Sequence, residues 1–287
     1  MSIVDEAAHT QFLRLQEQDL KGKVALITRS DIYPSGATKG IGRAITIELA
    51  TRGASIIGTY SSPESVHLFS TLSQTISSLY SSSSVTTLVP KFIGLQFHIA
   101  LPDSSGAVAN ILEALTTHFS SKIDIVIFNA AVMTLAKMGE GSVREDVVDL
   151  ALAGNVRFPV MLVEHLLREN VFRKQGRVIA VSSEGVRARR PDGGAIYAAT
   201  KAALECLMRK WADELGNRPG MEGTTFNSIS VGFTKTEAYR KISPELRDKL
   251  ETSDAAEVAV ANRIGEVEDV AGVVGLLVSE KAQVSQM

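Results

Sequence analysis

Strand-like and helix-like segments alternate along almost the whole chain, and this alternation constrains the fold more than any other feature. Apolar runs bounded by turn residues are followed, again and again, by helical patterns. Parallel neighbours need a crossover long enough to hold a helix, so the order predicts a parallel sheet with helices on both faces. Strands are expected at Lys23–Thr28, Ala54–Tyr60, Phe92–Phe97, Ile123–Phe128, Gly176–Ser182 and Thr224–Val231. Helices are expected to open near Gly40, Pro63, Asp103, Val143 and Ala195. At 287 residues, 45% of them hydrophobic, a single α/β domain can bury a large core. No repeat or linker divides it. Residues 1–19, with Ile3, Val4, Ala7, Phe12, Leu13 and Leu15, read as an N-terminal arm or short helix, and Ser81–Ser84 as a loop.

Composition narrows the function. A formal net charge of −2 gives no broad field for nucleic acid or an anionic membrane. No stretch approaches the ~18 apolar residues of a membrane span, and no leader pattern opens the sequence. The single cysteine, Cys206, excludes an internal disulfide framework and reads as a small buried side chain. A soluble, cytoplasmic protein is expected.

Two groups of residues carry chemistry. Gly36, Gly40 and Gly42 open a helix after the first strand, a spacing that lets backbone N–H groups and the helix N-terminus face a pyrophosphate. A strand-to-helix turn also needs glycine simply for positive φ, so the loop alone leaves both readings open. Further on, Tyr197 and Lys201 stand four apart on an expected helix and share a face. Ser183 ends a strand fourteen residues before Tyr197, and Asn155 lies in a helical stretch before that. Taken singly, these are a strand-end cap, a polar helix residue and a half-buried aromatic.

In this order, the glycine turn, "FNAA" at Phe128–Ala131, Asn155, Ser183, Tyr197 and Lys201 resemble the short-chain dehydrogenase/reductase family, in its shorter branch, from about Leu20 to Lys281. The resemblance implies a Rossmann-type doubly wound parallel sheet of seven strands in one domain, here over residues 20–287. It also implies hydride exchange between NAD or NADP and a carbonyl or alcohol substrate. Tyr197 would donate the proton and Lys201 would stabilise the phenolate, whose ordinary pKa of ~10 is too high to cycle freely. Lys201 would also bind the nicotinamide ribose, Ser183 the substrate oxygen, and Asn155 a water joining Lys201 to solvent. Cofactor contacts would come from Gly36, Lys39, Gly40, Ile41, Gly42, Ser61, Asn129, Tyr197, Lys201 and Thr236. No metal is implied.

The second strand ends Thr59-Tyr60-Ser61-Ser62 with no acid until Glu64, whereas an NAD enzyme places an acid there for the ribose 2′-hydroxyl. Lys39 matches a family position that contacts a 2′-phosphate, so NADP is expected.

Several residues depart from the family pattern. His98, Phe128, Ala131 and Val231 replace the usual Asp, Asn, Gly and Pro, and the sequence stops at "SEKAQVSQM", short of the family's seventh strand. A sheet lacking that edge strand is expected; in the family the segment helps build a tetramer, which leaves a homo-oligomer open. Arg29–Ser35 separates the first strand from the glycine turn and reads as an insertion beside the pyrophosphate site. Removing it is expected to tighten NADPH binding. The segment after Gly232 is expected to form a lid, with Phe233, Ala238, Tyr239 and Ile242 either lining a pocket or forming the inner face of a helix. Two readings follow: an NADP-dependent oxidoreductase of secondary metabolism acting on an apolar ketone or secondary alcohol, or a non-catalytic relative that binds a nucleotide or partner.

Overall fold

The computed structural model describes residues 13–28, 39–83, 88–100, 103–188, 193–236, 239, 243–258 and 261–283. Six strands lie in chain order at Val24–Ile27 (β1), Ser55–Tyr60 (β2), Phe92–Gln96 (β3), Ile123–Phe128 (β4), Phe172–Val181 (β5) and Thr225–Ile229 (β6). All neighbouring pairs are parallel, in the order β3-β2-β1-β4-β5-β6. The doubly wound sheet implied by the sequence is present. Among the described residues no seventh strand pairs with β6, which forms one edge.

Side chains alternate across each strand and feed two apolar layers. Leu26, Ile57, Val126 and Val178 face helices Ser105–Phe119 (α3), Phe158–Arg168 (α5) and Ala195–Leu215 (α6). Ala25, Ile56, Ile127 and Ile179 face Gly40–Thr51 (α1), Pro63–Ser81 (α2) and Val267–Val278 (α8). Strand order reverses between β1 and β4, so their C-terminal ends open the crevice in which ligands of such sheets bind.

The strand expectations fall within two residues of the structure except at β5, which starts at Phe172. There Ile123 pairs with Phe172 and Ile125 with Arg177, so residues 173–176 bulge opposite Asp124, with Gln175 at φ +57°. The single helical pattern expected from Val143 is helix Glu145–Leu152 (α4), a π-helical turn at Ala153–Arg157, and then α5. Cys206 is exposed, not buried, because it lies on the outer face of α6. Residues 13–18 run without helix and dock on the end of α1: Gln16 N donates to Thr51 O, Leu20 N to Arg52 O, and Arg52 pairs with Asp19. Arg29–Ser35, Gly36, Ala238 and Ile242 lie outside the described residues.

Candidate active site

At the crevice, the ends of β1 and β4 are latched together. Thr28 N donates to Ile127 O at 3.0 Å, Ala130 N to Thr28 Oγ1 at 3.3 Å, and Asn129 Nδ2 to Thr28 O at 3.4 Å. Lys39 precedes α1 in extended geometry, and Gly40 begins the helix at φ +52°, a conformation that strains any residue with a Cβ. Ile41 packs on the apolar layer, and the carbonyl of buried Gly42 accepts from Thr46 Oγ1 at 2.8 Å. The first turn of α1 carries no acid to offset its N-terminal dipole.

Ser61, just past β2, has a buried Oγ with no hydrogen-bond partner among the described residues. A buried hydroxyl left unpaired is unfavourable, and at this strand end it fits a ligand that accepts hydrogen bonds. With Gly40 and an acid-free helix start, these residues fit a phosphate-bearing nucleotide.

Across the sheet, Tyr197 lies in the first turn of α6 with Lys201 one turn below, its Nζ 5.8 Å from the phenol ring centroid. Lys201 is 1% exposed and its Nζ donates to Val181 O at 2.6 Å, at the end of β5. Burial pushes this ammonium down to about 8 and the half-buried Tyr197 phenol up to about 12. The phenol is thus held above its ordinary value, not below it as the family resemblance implied. Desolvation outweighs the cation, whose hydrogen bond goes to a backbone carbonyl. A neutral phenol is a proton donor over the whole neutral range.

Two residues past Val181, Ser183 caps a short 3₁₀ turn, its Oγ accepting from Gly185 N at 3.2 Å. Asn155 is 1% exposed in the π-helical turn; its Nδ2 donates to Val132 O and to Thr200 Oγ1, each at 2.9 Å, and its Oδ1 accepts from Val132 N at 2.6 Å. Both amide hydrogens are committed to protein. Thr200 in turn donates to Tyr197 O at 2.7 Å. The structure therefore joins Asn155, Tyr197, Lys201 and the approach to Ser183 into one network. Thr200, which the sequence reading passed over, links two of them; its position next to Lys201 on the inward side of the helix was the available signal.

Thr236 lies past β6, its Oγ1 accepting from Tyr239 N at 3.4 Å. Nearby, Phe233 and Tyr239 meet edge-on at 5.5 Å, and Tyr239 also bonds Glu251 of helix Pro244–Glu257 (α7). Phe128 and His98 have local roles: Phe128 is buried in the core 6.5 Å from Trp211, and His98 Nδ1 accepts from Ala100 N at 3.2 Å. Among the described residues no group of His, Cys, Asp and Glu is placed to hold a metal. No helix among them is long and apolar enough to cross a membrane.

A family model described as enoyl-(acyl carrier protein) reductase matches residues 102–286. The 3-oxoacyl-(acyl-carrier-protein) reductase of Vibrio cholerae is 32% identical over 267 residues, spanning 92% of this chain and 93% of that protein. A short chain dehydrogenase from Burkholderia cenocepacia, solved in complex with NADP, superposes with a TM-score of 0.73 at 26% identity, covering 93% of this chain and 95% of that one. An angucycline C-6 ketoreductase with bound NADP gives 0.76 at 26% identity, covering 95% of each. The matched segment contains the helix that carries Tyr197 and Lys201, and the likeness to the Vibrio protein extends along nearly the whole chain, so the chain belongs to the short-chain dehydrogenase/reductase family.

Proposed function

We infer that this oxidoreductase interconverts an apolar ketone and its secondary alcohol with NADP, using Tyr197 as the acid and base. The observation that carries the reading is the neutral, half-buried Tyr197 phenol above a fully buried Lys201. Lys39, Gly40, Ile41, Gly42, Ser61, Asn129, Tyr197, Lys201 and Thr236 would hold the cofactor, together with Gly36. When bound, NADPH supplies the hydride that reaches the carbonyl carbon. The oxygen then takes up charge, and Tyr197 Oη gives it a proton while Ser183 Oγ holds it by a hydrogen bond. Lys201 keeps a cation below the phenol as it becomes phenolate. Asn155 contributes by fixing the Val132 backbone and, through Thr200, the turn that bears Tyr197. NADP is favoured by the acid-free end of β2 and by the two structural neighbours that hold it. An aromatic polyketide of secondary metabolism fits the apolar reading of the substrate, and a cytoplasmic location fits the chemistry.

The test is NADPH consumption against a panel of apolar ketones and quinones, including tetralone and phenanthrenequinone, with NADH in parallel. Turnover of at least one member, faster with NADPH, is expected. NADPH binding without turnover of any member supports the second reading, a nucleotide-binding relative without catalysis, which the substituted positions His98, Phe128, Ala131 and Val231 favour.

A further inference from the structure

Helix α6 meets the sheet through an apolar stripe of Leu204, Met208, Trp211 and Leu215, interrupted by two ionisable side chains one turn apart, Lys201 and Glu205. Lys201 has a part in the chemistry above. Glu205 has none. Its side chain is 6% exposed, and burial of a carboxyl is unfavourable unless it is hydrogen-bonded. The bond comes from Ser182, also buried, whose Oγ donates to Glu205 Oε1 at 2.7 Å. A leucine or methionine would continue the stripe without any desolvation cost, so packing does not account for the acid.

The place of Ser182 in the chain decides what this bond does. On one side is Val181, whose carbonyl takes Lys201 Nζ at 2.6 Å; on the other is Ser183. Tyr197, Lys201 and Glu205 follow at steps of four along one face of α6, so the helix that presents the phenol grips two consecutive residues at the end of β5. Two backbone ties of this segment run to the β6 side: Ser182 N donates to Ile229 O at 2.8 Å and Glu184 N to Val231 O at 2.9 Å. These fix Ser183 against the sheet. Among the described residues, the side-chain hydrogen bonds that tie it to the helix carrying Tyr197 are those of Lys201 and Glu205.

We propose that Glu205 is a positioning residue which, through Ser182, sets the height of Ser183 against Tyr197 so that both hydroxyls converge on one substrate oxygen. The proposal rests on the reading of Ser183 and Tyr197 as the groups that touch that oxygen. It separates the two ionisable residues of the stripe by role, Lys201 acting in the chemistry and Glu205 through geometry.

The test compares Glu205→Met, Glu205→Gln and Ser182→Ala, with Ser183→Ala as reference, using NADPH and the best ketone of the panel. Glu205→Met replaces a buried polar group by an apolar one of similar volume, so its melting temperature should equal or exceed the parent's. Its kcat should nevertheless fall about 10- to 100-fold, the scale on which reacting groups shifted by up to ~1 Å lose rate, with the NADPH Kd unchanged. Glu205→Gln keeps an oxygen for Ser182 and should keep most of the rate. Ser182→Ala should match Glu205→Met, and the double variant should be no worse than either, since both remove one bond.

A parental kcat in Glu205→Met or Ser182→Ala overturns the proposal, and so does a loss in Glu205→Gln as deep as in Glu205→Met. A kcat loss in Glu205→Met that comes with a matching fall in melting temperature marks Glu205 as merely structural and overturns it too. Full rate in Ser183→Ala, or a parent that reduces no member of the panel, removes the functional reading itself and the positioning role with it.

Discussion

The side-chain amide of Asn155 pairs with both backbone polar groups of Val132, accepting from its N–H at 2.6 Å and donating to its C=O at 2.9 Å. It thereby takes the place of a neighbouring strand just where the chain leaves β4 and has no ladder partner. The π-helical turn brings Asn155 to this position, and Gly154 lets it come close: a Cβ on Gly154 would stand 2.5 Å from Val132 Cγ2. The remaining amide hydrogen goes to Thr200, so one side chain ties the loop after β4 to the helix that carries Tyr197.

Asn155→Ala should therefore lower stability as well as rate. It strands two buried backbone groups, at a cost of about 1–3 kcal/mol each. Gly154→Ala should destabilise by a similar ~1–3 kcal/mol, because Val132 is fully buried and β-branched and has no free rotamer to yield. Urea unfolding measures both. Parental midpoints in the two variants would show that the clamp carries no strain and no stability.

Tyr197→Phe should reduce ketone reduction by ~10²–10⁴-fold while NADPH affinity stays near the parent's, since only the proton donor is lost. With the phenol raised to about 12, the acid form prevails throughout the neutral range, and reduction should vary little with pH there. The reverse reaction needs the phenolate, so alcohol oxidation should climb with pH and show no plateau below about pH 10. A variant that keeps most of its rate, or an oxidation profile that levels off near neutrality, contradicts this assignment.

Most of the sheet was legible because parallel strands buried on both faces read as short apolar runs, and five of the six lie within two residues of their expected limits. Elsewhere tertiary contacts outweighed local pattern. Arg173, Lys174 and Gln175 give no strand signal because they form a bulge, with Gln175 at a positive φ. The π-helical turn leaves the apolar rhythm around Ala151, Ala153 and Phe158 unbroken, so α4 and α5 read as one helix. Cys206 was misread because average burial of its residue type says nothing about helix face; Lys201, Leu204, Glu205 and Met208 define the inward side, and Cys206 falls outside it. The partners of Asn155 and Glu205 come from distant segments, and no spacing rule reveals them. The direction of the Tyr197 shift likewise depends on how completely α6 is packed.

NADPH should bind at least tenfold more tightly than NADH, and Lys39→Ala should close most of the gap. A charge-assisted hydrogen bond to the 2′-phosphate is worth ~1.5–3 kcal/mol, and NADH offers nothing in its place. Lys39 stands in extended geometry directly before α1, beside the acid-free helix start. Fluorescence titration of the two cofactors against parent and variant gives the four constants needed. Equal affinities in the parent, or an unchanged ratio in Lys39→Ala, would rule out this residue as the discriminator.

Lys201 also predicts a pH dependence of folding that no exposed lysine would give. Burial lowers its pKa from 10.5 in the unfolded chain to about 8 in the folded one. Between those values the unfolded state binds more protons, so stability must rise with pH across that window. Below about 8 both states are protonated, and the folded state carries the full penalty of a buried cation, at most about 3 kcal/mol for a shift of this size. Lys201→Met removes the group and its titration. The parent should therefore gain on the variant steadily between pH 8 and 10, by up to that amount. Above 10 the stability of each protein falls with pH, because the raised pKa of Tyr197 makes the folded state the better proton binder, but both proteins carry Tyr197 and the difference between them still reports Lys201. Urea unfolding of both proteins at pH 7, 8, 9 and 10 gives the difference directly. A difference that stays constant over this range would mean that Lys201 remains charged in the fold at high pH, solvated or paired in a way that the single bond to Val181 does not provide.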